Sequence, residues 1–213
     1  MANENKAGAL ILSQLGMFNE SVVFFENTVQ PSILEGIDKV VEDFSEENGW
    51  VGSFDLAGDL DCWLAPSEWG LPDTEDEIDP KAWFAVDTIN DDDDYWIARF
   101  CGQGVAGGEI GFHFYVKHKD FGGKNAWKAY AKRIDSALIS KLVALGFKNI
   151  GEGVFFLPVH LDANLLASTW EDSGKFSDDD EVFDPVREVL EKLQQAKGIF
   201  SEIMSKAPSR GTV

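Results

Sequence analysis

Between residues 50 and 117 the hydrophobic pattern of the chain repeats every two residues, and this constrains its fold more than any other feature. The clearest stretch is 109–117, where Ile110, Phe112, Phe114 and Val116 alternate with Glu109, Gly111, His113, Tyr115 and Lys117. A strand points successive side chains to opposite faces, so this alternation describes an antiparallel strand with one face packed. Residues 50–56 and 60–64 flank Ala57-Gly58-Asp59 as a hairpin, and 83–89 and 95–101 read as two further strands. Residues 65–80 hold three prolines and six acids and read as a surface loop.

Helical spacing lies on both sides of this region. In residues 19–47, Ile33, Leu34, Ile37, Val40, Val41 and Phe44 share one face, and Asn48-Gly49 ends the run. Pro31 suits a first-turn position or kinks a longer helix. After Gly122-Gly123, a stripe of Trp127, Ala131, Ile134, Leu138, Leu142 and Leu145 predicts one helix closed by Gly146. Residues 153–159 predict a short strand, 163–170 a short helix and 177–181 an acidic loop. Asp184-Pro185 predicts the cap and first turn of a last helix carrying Val186, Val189, Leu190, Leu193, Phe200, Ile203 and Met204.

The strands cluster instead of alternating with helices. This predicts an α+β fold: a mainly antiparallel sheet of five to six strands packed against an N-terminal helix and C-terminal helices. With no repeat and no long linker, residues 1–213 are expected to form a single domain. At 44% hydrophobic residues the chain can bury a core. Cys62 and Cys101 are too few for a disulfide framework and read as reduced and structural. The apolar run 7–18 follows a single Lys6, lacks a clean cleavage site and is too short to span a bilayer. A cytoplasmic protein without a membrane role is therefore expected.

Charge is distributed unevenly. Of the net −20, residues 35–110 carry 21 acids against Lys39, Lys81 and Arg99, a net of −18. Residues 111–150 carry two acids against eight bases, a net of +6. A field of this kind repels nucleic acid and anionic membranes and attracts basic proteins. Direct nucleic-acid binding is not expected.

Few motifs carry chemistry. Gly102, Gly104 and Gly107 match the dinucleotide fingerprint by letter, but a strand follows them where the phosphate site needs a helix. No cofactor is expected. His113, His118 and His160 have no metal-site spacing, and no nucleophile elbow or CxxC is present, so no metal is expected. His113 and His118 lie on one strand and point to opposite faces. Gly52-Ser53 followed by Asp59, Asp61 and, from a neighbouring strand, Asp87 resembles the nucleotidyltransferase pattern. That resemblance implies carboxylates holding two metal ions against substrate phosphates. It covers about a dozen residues, and the Ser53 to Asp59 gap is shorter than the family's usual one.

Lys124, Lys128, Lys132 and Arg133 form a basic stripe beside the apolar face of their helix. Asp91, Asp92, Asp93 and Asp94 occupy a hairpin tip, where adjacent carboxylates repel one another and a turn alone does not require them. Five of the seven tryptophans, at 50, 63, 69, 83 and 96, fall in the acidic region. Trp63, Trp83 and Trp96 are expected in the sheet core. Trp69, near Glu75, Asp76 and Glu77, is expected to be exposed as an aromatic anchor.

The sequence therefore favours a non-enzymatic acidic protein that docks on a basic protein partner, nucleic-acid-binding proteins among the candidates, through Trp69, Glu75, Asp76, Glu77 and Asp91–Asp94. An inhibitor that mimics nucleic acid, an antitoxin and an immunity protein all fit that description. One alternative is a metal-dependent enzyme using Asp59, Asp61 and Asp87. Another is an assembly subunit, a homo-oligomer whose acidic face meets the Lys124, Lys128, Lys132, Arg133 face of another copy.

Overall fold

A computed structural model describes residues 2–70, 79–89, 95–104 and 108–209, with side chains from residue 5 onward. The fold is α+β. One antiparallel sheet is built from β1 (Trp50–Asp55), β2 (Asp61–Pro66), β3 (Ala82–Ile89), β4 (Glu109–Val116), β5 (Lys148–Gly151) and β6 (Val154–Pro158). Its strand order is β1-β2-β3-β4-β6-β5, so the first four strands pair in chain order.

The N-terminal helical region is α1 (Ala2–Ser13), α2 (Leu15–Phe24) and α3 (Gln30–Asn48), with a π turn, Phe25–Val29, between the last two. Pro31 has no N–H to return to the carbonyl of Asn27, which removes one rung of the helical ladder just where the wide turn sits. Pro31 thus lies within a longer helical run, and the apolar stretch 7–18 is part of α1 and α2. Gly49 ends α3 in the left-handed conformation at φ 65°, as the Asn48-Gly49 pair predicts.

Residues 95–101 do not form a strand. They carry α4 (Trp96–Phe100), with Cys101 N–H bonding the Ile97 carbonyl at 3.0 Å. The helix predicted over 124–145 is two, α5 (Lys124–Ala131) and α6 (Ser136–Ala144). Asp135 separates them by accepting the Ala137 N–H at 2.8 Å, a cap that satisfies an otherwise orphaned donor. Next come α7 (Ala163–Ser173) and α8 (Asp184–Ser205). Phe183 occupies the cap position of α8, so Asp184 and Pro185 both lie inside its first turn.

The core lies between α3, α8 and one sheet face. Phe200 of α8 stacks on Phe114 of β4 at 4.1 Å and meets Phe84 and Phe147 edge-on at 5.3 Å. Offset and edge-to-face arrangements of this kind are favoured by ring quadrupoles. Gly36 brings α3 against the buried Phe183 ring, since a Cβ there would sit 2.3 Å from that ring. Asp38, buried on α3, accepts the N–H groups of Leu56 and Ala57 at 2.9 and 3.1 Å. It thereby ties the β1–β2 turn to the helix layer, and burial pushes its carboxyl above the ordinary range. Cys62 is buried on β2 and Cys101 half-buried, both as free thiols.

Among the described residues no single helix is long and apolar enough to cross a membrane. α1 and the run Leu15–Asn48 meet the length and composition requirement only together, across an 88° bend.

Candidate functional site

Alternation divides each strand between the core and the opposite, outward face. On β3, Ala82, Phe84 and Val86 are buried toward the helices, which turns Trp83, Ala85 and Asp87 outward. Registry extends that outward set across the sheet, because Trp63 of β2 lies opposite Ala85, and Tyr115 and His113 of β4 lie opposite Trp83 and Ala85. Phe156 of β6 is opposite His113, and Lys148 of β5 is opposite Phe156.

These side chains form a continuous aromatic row. Trp83 stacks on Tyr115 at 6.0 Å, Tyr115 on His113 at 5.7 Å, and His113 packs on Phe156 at 4.7 Å. Trp63, Trp83 and Tyr115 are half-buried, while His113 and Phe156 are buried. Tyr115 donates its hydroxyl to Asp87 at 2.6 Å, and the other Asp87 oxygen accepts the Thr88 N–H at 2.7 Å. Burial first, and then this bond to Asp87, hold the Tyr115 phenol protonated well above its ordinary range.

At one end of the row is a cleft of about 350 Å³ lined by Trp63, Asp79, Pro80, Trp83 and Lys117. Lys117 forms an ion pair with Asp79 and holds that carboxyl below its ordinary range. The arrangement therefore offers flat aromatic surface beside carboxylates, a combination suited to guanidinium and ammonium groups.

His113 is the buried titratable group of the row. Burial lowers its pKa from 6.5 against a smaller opposing pull from Asp87, and Nε2 has no hydrogen-bond partner among the described residues. The folded state resists protonation of this ring, whereas the unfolded chain takes up a proton at the ordinary value. Stability is therefore expected to fall as pH drops below about 6.5, because the unfolded state then binds more protons. Urea titrations at pH 7.5 and 5.5 check this against His113→Gln, and the loss should be smaller in the variant. Equal losses would show that His113 does not carry the effect.

The expected anchor Trp69 is buried, at 5% exposure. Its indole N–H donates to Ser201 on α8 at 2.9 Å and its ring packs against Phe84 and Phe114, so it belongs to the core. Its neighbour Glu68 pairs with Lys197 at 2.8 Å. Trp63 and Trp83 lie on the outward face instead of between sheet and helices, and Trp96 is on α4. Glu75, Asp76, Glu77 and Asp91–Asp94 lie outside the described residues.

Asp59 sits in the β1–β2 turn, Asp61 is exposed on β2 opposite Asp55, and Asp87 is committed to Tyr115. Among the described residues no group of three or more His, Cys, Asp or Glu is arranged to hold a metal ion, and these three do not form one. His118 lies beyond β4 in a 3-10 turn, so it does not share a strand with His113. Gly102 follows α4 with φ 63°, and Gly107 lies outside the described residues.

Lys124 and Lys128 are on α5, Lys132 is its C-terminal cap, and Arg133 bonds the Ala129 carbonyl. Glu152 pairs with Lys128 at 2.6 Å. Lys128 first, then Lys124 and Lys132, hold its carboxyl low, so an acid of the same chain already answers this stripe.

The aromatic row was missed in the sequence because alternation says which residues share a face, not which face is packed. No family model, no curated protein and no solved structure matches the chain.

Proposed function

We propose that this is a non-enzymatic acidic binding protein that docks on a basic protein partner, as an inhibitor imitating nucleic acid, an antitoxin or an immunity protein. The observation that supports the reading is the outward aromatic row. Trp63, Trp83 and Tyr115 lie half-exposed among Asp61, Asp79 and Asp87, and Trp63 and Trp83 belong to the stretch that carries net −18. Arginine side chains stack on aromatic faces and pair with carboxylates, so such a surface rewards a partner built to hold a phosphate backbone. The acids Asp91–Asp94 belong to the same net −18 stretch of sequence, and their charge adds steering at low salt.

The test is capture from an extract of the native source on immobilised protein, with release by a salt gradient. A basic nucleic-acid-binding protein should be retained at low salt and released at moderate salt. Its apparent affinity should fall about tenfold with Trp83→Ala, as expected for an aromatic anchor. Neutralising Asp91–Asp94 to Asn should chiefly slow association. Capture unaffected by both changes, in variants that keep the native circular dichroism, would overturn the reading.

A further inference from the structure

Cross-strand register sorts the outward sheet face into bands. Trp63, Trp83 and Tyr115 make up an aromatic band, with the Lys117–Asp79 pair along one side of it. The other side is acidic. Asp55 of β1 lies directly opposite Asp61 of β2, two residues along from the Ser53–Trp63 pair and so on the same face. The Trp63–Ala85 register, carried two residues further, sets Asp61 level with Asp87 of β3. Three carboxylates thus follow one another across three neighbouring strands, at about 5 Å per strand.

This row works against the fold. Like charges directly opposite one another on an antiparallel pair destabilise it, and the ion pairs of the described residues engage other acids. Asp55 accepts the Gly58 N–H and Asp87 accepts from Tyr115 and Thr88, while Asp61 is exposed between them. A further group on this face is unsatisfied. His113 is only 7% exposed, turns outward by alternation, and has no hydrogen-bond partner for Nε2 among the described residues. Carboxylates without bases, an idle acceptor and half-buried indoles all suit one side chain. Arginine carries five donors in a planar fork, pairs with carboxylates through two bonds at once and stacks on aromatic faces. A lysine ammonium offers the charge without the fork.

We propose, taking this face as the docking surface for a basic protein, that Asp55, Asp61 and Asp87 seat arginine side chains of that partner, with Trp63 and Trp83 as the surface on which they stack. The repulsion between Asp55 and Asp61 then belongs to the free protein and is relieved on docking. Neutralising the row should therefore strengthen the fold and weaken the contact, a pairing of effects that a merely solubilising acid does not produce.

The test titrates a fluorescent hexa-arginine peptide, and its hexalysine twin, into the full chain at low salt, with fluorescence anisotropy as the readout. Hexa-arginine should bind about three- to fivefold more tightly than hexalysine, the range for exposed ion pairs of good geometry. Asp61→Asn should abolish that preference and raise the urea midpoint. Asp61 is exposed, so the variant is expected to fold. Glu171→Gln makes the same charge change at an exposed position on α7 and should do neither. Equal affinity for the two peptides, a preference that survives Asp61→Asn, or a midpoint that does not rise would overturn the proposal. Capture of a basic protein that survives Asp61→Asn but is lost with Trp83→Ala would sink the arginine seat and leave the docking function standing. An Asp61-dependent arginine preference with no basic protein captured would do the reverse.

Discussion

Phe200→Ala should destabilise the protein by about 3–5 kcal/mol, the range for emptying a phenylalanine site in a packed core. Phe200 has no exposed surface, stacks on Phe114 at 4.1 Å and meets Phe84, Phe147 and Phe155 at 5.3–5.6 Å. Its neighbours come from β3, β4, β6 and the segment before β5, so no single backbone movement closes the space left behind. Cavity cost then adds to lost transfer energy instead of being relaxed away. Urea unfolding should show the midpoint falling with an unchanged slope. Phe200→Leu retains most of the volume and should cost less than about half as much. A loss below ~1 kcal/mol for the alanine variant would mean that α8 is not the element closing this core.

Gly111→Ala should be nearly as damaging, although alanine is intrinsically the better residue inside regular structure. Gly111 lies on β4 opposite Pro158 of β6. A Cβ there would stand 2.2 Å from the Leu157 carbonyl oxygen and 2.7 Å from the Pro158 Cα. Both are backbone atoms, so no rotamer change relieves the contact and the two strands must separate. We expect a loss of about 3 kcal/mol, at the upper end of overpacking costs. Hydrogen exchange should report it locally, because the Val159 N–H bonds the Ile110 carbonyl at 3.0 Å beside this position. Unchanged or increased stability would show that β4 and β6 are not in such close approach.

The legible parts of the fold are those where one period persists. The α3 stripe from Ile33 to Phe44 and the alternation through β4 each determine an element without help from the rest of the chain. Residues 95–101 misled because Trp96, Ile97 and Phe100 suit helix spacing as well as a strand, and five residues cannot separate the two periods. β5 was invisible: Lys148–Gly151 is an exposed edge strand with no hydrophobic alternation. The cap at Asp135 was legible in its chemistry but outweighed by the continuous stripe across it. Trp69 shows a deeper limit. Its surroundings in sequence are acidic and proline-rich, yet its indole is fixed by Ser201, 132 residues away. Proximity along the chain carried no information about that partner. The outward aromatic row was illegible for the same reason, since which face of a sheet the helices leave free depends on where they dock.

The position of α8 has a consequence for how the molecule is made. The pairs β1–β2, β2–β3 and β3–β4 are neighbours in sequence, so they can close before any contact with α8 forms. Phe84, Phe114 and Phe155 nevertheless await Phe200, which the ribosome adds only after every strand has been synthesised. Until then the nascent sheet presents a sticky inner surface, which makes this intermediate the species most prone to aggregate. Its dense negative charge opposes that outcome, because emerging chains of like sign keep one another apart. Arrival of α8 is thus the step that covers this inner surface, and the stage before it is the one at which a holding chaperone has the most to protect.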